Sequence, residues 1–277
     1  ASRQRILETA LRNARQAGVG LEGKAKEEFN ELQKRMSELG MKFSNNVLDA
    51  TKAFKVILTD VADVAGLPPS VLRQAAQLAA ADGHPGATPE AGPWKITLDI
   101  PIYLPFMKYA EKRELRETLL RAFATRASSG AFDNQPLVDE LLALHQRSAA
   151  LLGFATYADQ SLSNKMAGTV GAADRLIEEL RVASKPVAER ELAELRKFAR
   201  AESLGGASVG ACELMNWDVA YWAEKLRIRR YDYDEEALRP YFQFPKVMEG
   251  MFGLAEKLFG VTLVAADGEL PVWHPEV

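Results

Sequence analysis

Apolar residues recur every three or four positions over a long stretch near the start of this chain. The stretch contains Ala25, Phe29, Leu32, Met36, Leu39, Phe43 and Val47. Alternating steps of four and three keep these side chains on one face of an α-helix. Gly40 interrupts the stretch without shifting its phase. The pattern therefore predicts one long amphipathic helix and indicates a mainly α fold.

The same periodicity predicts helices over most of the remaining chain. They are expected near residues 6–18, 68–80, 115–123, 137–151, 169–200, 217–226 and 245–259. Asp133 or Asn134 can cap the helix that follows them, because short polar side chains satisfy free first-turn amides. Pro186 lies inside the 169–200 stretch and predicts a kink or a break there.

Three short runs are typical of β-strands. Residues 53–58 and 94–99 are expected to pair, because each run alone leaves its backbone groups without partners. Val261–Val264 predicts a third strand without a partner, and the glycine-rich residues 205–210 predict a flexible loop. We therefore expect residues 1–277 to form one helical segment with a minor two-stranded β element and a possible subdivision near 205–210.

Composition excludes several classes of function. The net charge is −3, from 35 Lys and Arg against 38 Asp and Glu, so no basic excess points to a nucleic-acid partner. No run approaches 18 apolar residues, so no membrane span is expected. Cys212 is the single cysteine and is interpreted as a small buried residue, which fits a reducing compartment.

No catalytic or metal-binding motif emerges from the residues. His84, His145 and His274 are far apart, and none has the helical spacing of an HExxH zinc site. Gly18–Gly23 matches GxGxxG, but a helix precedes it where a dinucleotide fold needs a strand, so a turn between helices is expected. The carboxylate pairs Glu178/Glu179 and Asp234/Glu235 are expected on the surface. We predict no catalytic and no metal residue in this chain.

A dense aromatic group near the C-terminal end leaves two interpretations open. It comprises Trp217, Tyr221, Trp222, Tyr231, Tyr233, Tyr241, Phe242 and Phe244. These side chains can pack in a core, or they can line a peptide-binding channel, since aromatic faces and hydroxyls suit extended peptides. The sequence alone assigns no substrate-binding residue.

Several segments, in order, resemble the thimet oligopeptidase and oligopeptidase A family of zinc metallopeptidases. They are Phe43–Asp49, Gly66–Pro68, Leu152–Ala158 with Ser161–Leu162 and Lys165–Ala167, Asn216–Trp222, Leu238–Phe242, Gly250–Phe252, Leu258–Val261 and Trp273–Val277. The resemblance covers essentially the whole chain.

The resemblance implies part of a zincin-like fold in an enzyme that cleaves short peptides in a deep channel. The family's zinc ligands are two histidines of an HExxH helix and a downstream glutamate, and none of them maps onto this sequence. The expected cofactor is zinc in the larger enzyme, with none bound by this chain. The expected partners are short peptides and the remaining catalytic part of the larger chain.

Two hypotheses follow. In the first, the chain is a non-catalytic piece of a larger oligopeptidase and is inactive alone; its first residue is not Met and its end is abrupt, which fits an excised piece. In the second, it is a truncated helical module that binds peptides or acts as a scaffold. The expected location is the cytoplasm, or the chloroplast or mitochondrion of a plant or alga.

Overall fold

The computed structural model describes residues 2–204, 213–232 and 235–274. The chain divides into two compact units, residues 1–226 and residues 227–277. Helices dominate both units, and one two-stranded sheet lies in the first. The mainly α class with a minor two-stranded element is therefore confirmed.

The first unit begins with two helices, α1 (Ser2–Gln16) and α2 (Gly23–Ala53). α2 contains the whole apolar stripe from Ala25 to Val47 and buries Phe29 and Leu39. The turn between the helices contains the GxGxxG stretch, as predicted. Gly18 has a φ of +72°, and a Cβ there would lie 2.7 Å from the Phe29 ring, so this turn needs a glycine.

A small antiparallel ribbon forms the centre of the core. β1 (Lys55–Leu58) pairs with β2 (Trp94–Thr97), with Val56 opposite Ile96 and Leu58 opposite Trp94. This confirms the predicted pairing. A short 3-10 turn (Val61–Val64) and helix α3 (Pro69–Ala81) connect the strands, together with a loop that ends at Pro93.

Helices cover the ribbon, because a two-stranded ribbon alone is only marginally stable. α3 and helix α4 (Ile100–Tyr109) pack against β2. Their contacts bury Ala75, Ile96, Ile102 and Phe106 completely. Helix α5 (Arg113–Ala124) follows α4 and adds Leu119 to the same core.

Helix α6 (Gln135–Leu151) runs antiparallel to α2. Asn134 accepts a hydrogen bond from Asn46 at 2.8 Å, and Gln33 donates to Ser148 at 3.3 Å, so the start of α6 lies beside the later part of α2. Of the two predicted caps, Asn134 occupies the N-cap position without a side-chain capping bond, and Asp133 Oδ1 accepts a hydrogen bond from the Gln135 amide at 3.0 Å. Asn134 instead donates to the Phe43 carbonyl of α2.

The chain continues through α7 (Tyr157–Leu162), α8 (Val170–Leu204) and α9 (Asn216–Tyr231). The second unit contains the end of α9, the single turn α10 (Glu235–Leu238), a 3-10 turn (Arg239–Tyr241) and α11 (Phe244–Phe259). None of the described helices is both long and apolar enough to cross a membrane.

The sequence predicts a kink or a break at Pro186, and the break is absent, because α8 remains helical through that residue. One sequence prediction was wrong. Val261–Val264 forms no strand, since no neighbouring backbone pairs with it within the described residues; instead the Leu263 amide donates to the Glu256 carboxylate at 3.2 Å. The predicted loop and subdivision at 205–210 and the expected burial of Cys212 concern residues that the structure does not describe.

Candidate functional site

The first turn of α9 carries a buried carboxylate in one of the segments that bear the family resemblance. Asp218 is only 2% exposed. Its own amide donates to the Met215 carbonyl at 2.9 Å, and its Oδ2 accepts from the Met215 amide at 3.1 Å. These local bonds fix both the start of α9 and the direction of the carboxylate.

Two arginines of α5 converge on that carboxylate. Arg113 and Arg116 are three positions apart, which places them on one face of the helix. Arg113 binds Asp218 with two nitrogens, Nε at 2.9 Å from Oδ1 and Nη2 at 2.6 Å from Oδ2. Arg116 Nη2 donates to Oδ1 at 2.9 Å. A bidentate arginine–carboxylate pair is among the strongest polar contacts in proteins.

Arg116 also satisfies main-chain oxygens. Its Nε donates to the Trp217 carbonyl at 3.2 Å, and its Nη1 donates to the Ala110 carbonyl at 2.7 Å and the Glu111 carbonyl at 3.1 Å. The side chain is 2% exposed, so these bonds take the place of water around a buried cation. Arg116 therefore connects the end of α4, the start of α5 and the start of α9.

Aromatic rings complete the arrangement. The Arg116 guanidinium lies 4.1 Å from the centroid of the Tyr221 ring, and that of Arg113 lies 5.5 Å from the centroid of Trp217. Such cation–π contacts strengthen when water is excluded, and both rings are buried. We refer to Arg113, Arg116, Trp217, Asp218 and Tyr221 as the Asp218 cluster.

One further bond lies two turns along α9. The Tyr109 hydroxyl donates to the Glu224 carboxylate at 3.1 Å, which ties the end of α4 to the same helix. The indole Nε1 of Trp217 is buried and has no hydrogen-bond partner among the described residues.

The charge state of Asp218 decides what the cluster can do. Burial raises the pKa of this carboxyl, but hydrogen bonds from Arg113, the Met215 amide and Arg116 outweigh burial, so its pKa lies below the ordinary value. An ionised carboxylate whose two oxygens accept several charged bonds is neither a proton donor at neutral pH nor a free metal ligand. The cluster therefore holds helices together and has the character of a structural site.

The structure does not bring the sequence-predicted candidate residues together as a site. His145 is partly buried and stacks on Tyr157 with ring centroids 4.0 Å apart, and burial lowers its pKa. His84 is partly exposed, while His274 is exposed beside Trp273. Within residues 2–204, 213–232 and 235–274, no three His, Cys, Asp or Glu side chains lie close enough together to hold a metal ion.

The two carboxylate pairs singled out in the sequence form no site among the described residues. Glu178 forms an exposed ion pair with Arg181 at 2.6 Å, and Glu179 is exposed, whereas Asp234 lies outside the described residues and the Glu235 side chain is not described.

The aromatic group of the C-terminal part contains both buried and exposed rings. Trp217 and Tyr221 are buried, and Trp222 contacts Phe198. The rings of Tyr231, Tyr241, Phe242 and Phe244 are exposed. Tyr233 lies outside the described residues.

Sequence reasoning missed both arginines of the cluster. One signal was present, because Arg116 falls among Leu115, Leu119 and Phe123, the apolar positions of α5. A charged residue on an apolar stripe predicts a buried partner. Its partner Asp218 is 102 residues away, so helical spacing alone could not identify it.

Comparison with known proteins agrees with the family resemblance found in the sequence. The model of peptidase family M3 matches residues 106–277, more than half of the chain. The chain belongs to peptidase family M3. The match begins inside α4 and includes α5 and α9, so both halves of the Asp218 cluster lie in the M3 region.

Relatives match the entire length of the chain. It is 46% identical to "Probable cytosolic oligopeptidase A" and 46% identical to "Organellar oligopeptidase A, chloroplastic/mitochondrial", both of Arabidopsis thaliana. It is 40% identical to "Oligopeptidase A" of Salmonella typhimurium. Each alignment covers 100% of this chain but only 39%, 34% and 39% of the respective relative. This M3 chain therefore spans about two fifths of the length of these relatives or less.

Proposed function

We propose that this chain is a non-catalytic helical portion of a larger zinc oligopeptidase that hydrolyses short peptides. One observation carries the proposal: the chain matches family M3 over residues 106–277, yet it spans only about two fifths of relatives named as oligopeptidases. The matched region supplies packed helices, and the chemistry is assigned to the rest of the enzyme.

Zinc is the cofactor that the family implies. The described residues do not fit it, because none of their His, Cys, Asp and Glu side chains form a group of three suited to a metal ion. No step of peptide hydrolysis is therefore derived through this chain. Zinc and its activated water belong, in this proposal, to the remaining catalytic part of the larger chain.

The Asp218 cluster gives this portion a definite role. It joins α5 to α9 through a bidentate bond of 2.6 and 2.9 Å, and α4 to α9 through Arg116 and Tyr109. Rigid helices hold the wall of a binding channel in place, so that the wall can position a substrate. In this proposal, the chain supports such a wall.

The second unit supports the proposed partner. α11 has no buried residue, and Phe244, Leu258 and Phe259 are 75%, 65% and 76% exposed. Exposed apolar surface of this extent is typical of a face that another protein surface covers. The proposed occupant is the remaining catalytic part of the same enzyme, with short peptides as its substrates. By analogy with the plant relatives, the proposed location is the cytoplasm, the chloroplast or the mitochondrion.

A second candidate function is a helical peptide-binding or scaffold module without enzymatic activity. The exposed rings of Tyr241, Phe242 and Phe244 favour it, because they are available to contact a peptide or a partner protein. Both functions assign no catalysis to the chain itself, and they differ in whether it acts within a larger peptidase.

The experiment is to incubate the purified 277-residue chain with quenched-fluorescent short peptides. Reactions contain added zinc or a chelator, and Escherichia coli oligopeptidase A serves as the positive control for the peptide set. We expect no cleavage and no stoichiometric zinc by elemental analysis. Zinc-dependent cleavage would overturn the non-catalytic role. Peptide binding without cleavage that is lost when Tyr241, Phe242 and Phe244 are replaced by alanine would favour the binding module.

A further inference from the structure

The first unit contains a cavity of about 610 Å³ between α1 and the segment that runs from the end of α6 to Ser163. Its first wall is formed by the α1 residues Leu11, Arg12, Arg15 and Gln16. We call it the Arg12 cavity. We propose that it binds a ligand that combines a carboxylate with an apolar group. The proposal concerns the first unit only and is independent of the proposed peptidase role.

Hydrogen bonds between the two walls build the cavity. Gln16 donates through its Nε2 to the Ser163 hydroxyl and to the Gln160 carbonyl, the latter at 3.3 Å. Its Oε1 accepts from Asn164 at 3.2 Å. Gln16 thus ties the end of α1 to α7 and to the two residues that follow it.

Two arginines give the cavity its charge. Arg12 and Arg15 both line it, and neither forms an ion pair among the described residues. The one acid in the lining is Glu8, whose carboxylate accepts a hydrogen bond from Gln4 at 2.9 Å. The lining therefore carries two positive charges against one negative charge, which favours an anion.

An unused donor identifies where the anion binds. The Nε of Arg12 is buried within a side chain that is otherwise partly exposed, and it has no hydrogen-bond partner among the described residues. Buried polar atoms are normally paired, so this donor is available to an acceptor that enters the cavity. A planar carboxylate can accept from Nε and a terminal nitrogen of one guanidinium together. That geometry favours a carboxylate over a spherical anion.

The remaining lining residues indicate the apolar group of the ligand. Leu11, Leu152 and Phe154 supply an apolar surface beside the arginines. A volume of about 610 Å³ lies in the range of small-molecule sites and admits a few amino-acid residues. A peptide that ends in an apolar residue, or a free apolar carboxylic acid, has this combination of groups.

Three probes distinguish the sources by calorimetry on the full chain: a pentapeptide ending in leucine with a free C-terminus, the same peptide amidated, and N-acetyl-leucine. We expect the free-acid peptide to bind and amidation to weaken binding at least about tenfold, since a charge-assisted hydrogen-bond pair is lost. If N-acetyl-leucine binds as tightly as the free-acid peptide, any apolar carboxylate is a sufficient ligand. If it binds more weakly than that peptide, the preferred ligand is the C-terminus of a peptide. Equal binding of the free and amidated peptides, or no binding of either acid, overturns the proposal.

Variants locate the site. Arg12→Gln and Arg15→Gln should each weaken binding of the free-acid peptide by about tenfold. Arg15 is exposed, so its replacement leaves the fold intact even if Arg12→Gln does not. Arg3→Gln is the matched control, because Arg3 lies on α1 outside the cavity lining and should bind unchanged. A weakening by Arg3→Gln equal to that by Arg15→Gln would show only general charge attraction and overturn the proposal.

Discussion

Asp218 accepts hydrogen bonds from two arginine side chains and one main-chain amide, and its carboxylate is buried. Removing one partner of such a pair leaves the other charges in a dry site with nothing to balance them. Replacing one carboxylate oxygen of Asp218 by an amide nitrogen should therefore destabilise the first unit strongly.

Asp218→Asn should lower the free energy of unfolding by about 3 kcal/mol, because it leaves Arg116 buried without its anion. Urea unfolding followed by circular dichroism measures the change. Asp49→Asn is the matched control, since Asp49 is an exposed α2 residue, and its replacement should stay within about 0.5 kcal/mol. Equal effects of the two substitutions would contradict the structural role of the cluster.

The same carboxylate predicts a dependence on pH. The pKa of Asp218 in the folded chain lies below its ordinary value of 3.8, so its stabilising contribution is complete above that value. The contribution is lost as the pH falls below 3.8 and the folded carboxyl takes up a proton. Unfolding free energies measured from neutral pH into this range should decline more steeply for the parent chain than for Asp218→Asn. Parallel curves would contradict the lowered pKa.

The parent chain and the variant share the remaining acid-sensitive groups, so their difference isolates Asp218. The pKa values of Glu28 and Glu140 are lowered by hydrogen bonds from Arg147 and Arg35, and that of Asp82 by a hydrogen bond from Lys55. These pairs are solvent-exposed and contribute little each.

Gly66 lies in another segment that carries the family resemblance. Its φ is +84°, and a Cβ would lie 2.3 Å from the Tyr109 carbonyl oxygen. Gly66→Ala should therefore destabilise the chain by about 2 kcal/mol or more, through backbone strain and a contact that cannot relax. Gly86→Ala is the control, because nothing lies within 4 Å of its added carbon. Thermal unfolding measures the melting temperatures of both variants. Equal melting temperatures would contradict the close approach at Gly66.

At the scale of elements, periodicity was sufficient wherever a helix buries one face. It predicted α2, α5, α6, α9 and α11, while the need of two short runs to pair their backbone groups predicted the pairing of β1 with β2. It was insufficient at Val261–Val264, because a strand depends on a partner that local sequence does not specify. Helical periodicity also could not predict the Asp218 cluster. Its partners are more than 100 residues apart in sequence, and only tertiary packing brings them together.

α8 gives the clearest case of context overriding a local rule. Pro186 lies inside this helix without ending it, although a proline leaves the carbonyl four positions earlier without its partner amide. Pro186→Ala should raise hydrogen-exchange protection around residues 182–190, since alanine is favoured by up to about 3 kcal/mol in a helix interior. Ser184→Ala, also exposed, should change protection only slightly. Unchanged exchange in Pro186→Ala would show that the proline does not weaken α8.

At the scale of the whole molecule, the two units differ in how well they cover their apolar residues. The first unit encloses a core around Trp94, Ile96 and Phe106. In the second unit, α11 and the segment after it leave Phe259, Val264 and Trp273 76%, 79% and 86% exposed. A surface of this kind agrees with the proposal that the chain functions as part of a larger family M3 enzyme.

The mass of the native protein tests that proposal most directly. An antibody raised against this chain, used to isolate the protein from its source, followed by intact-mass spectrometry, provides the measurement. The account predicts a polypeptide about two and a half times as long as this chain, because the chain covers 39% of its relatives. A native mass equal to the 30.5 kDa of this chain would contradict it. The protein would then function without the remaining catalytic part of an oligopeptidase.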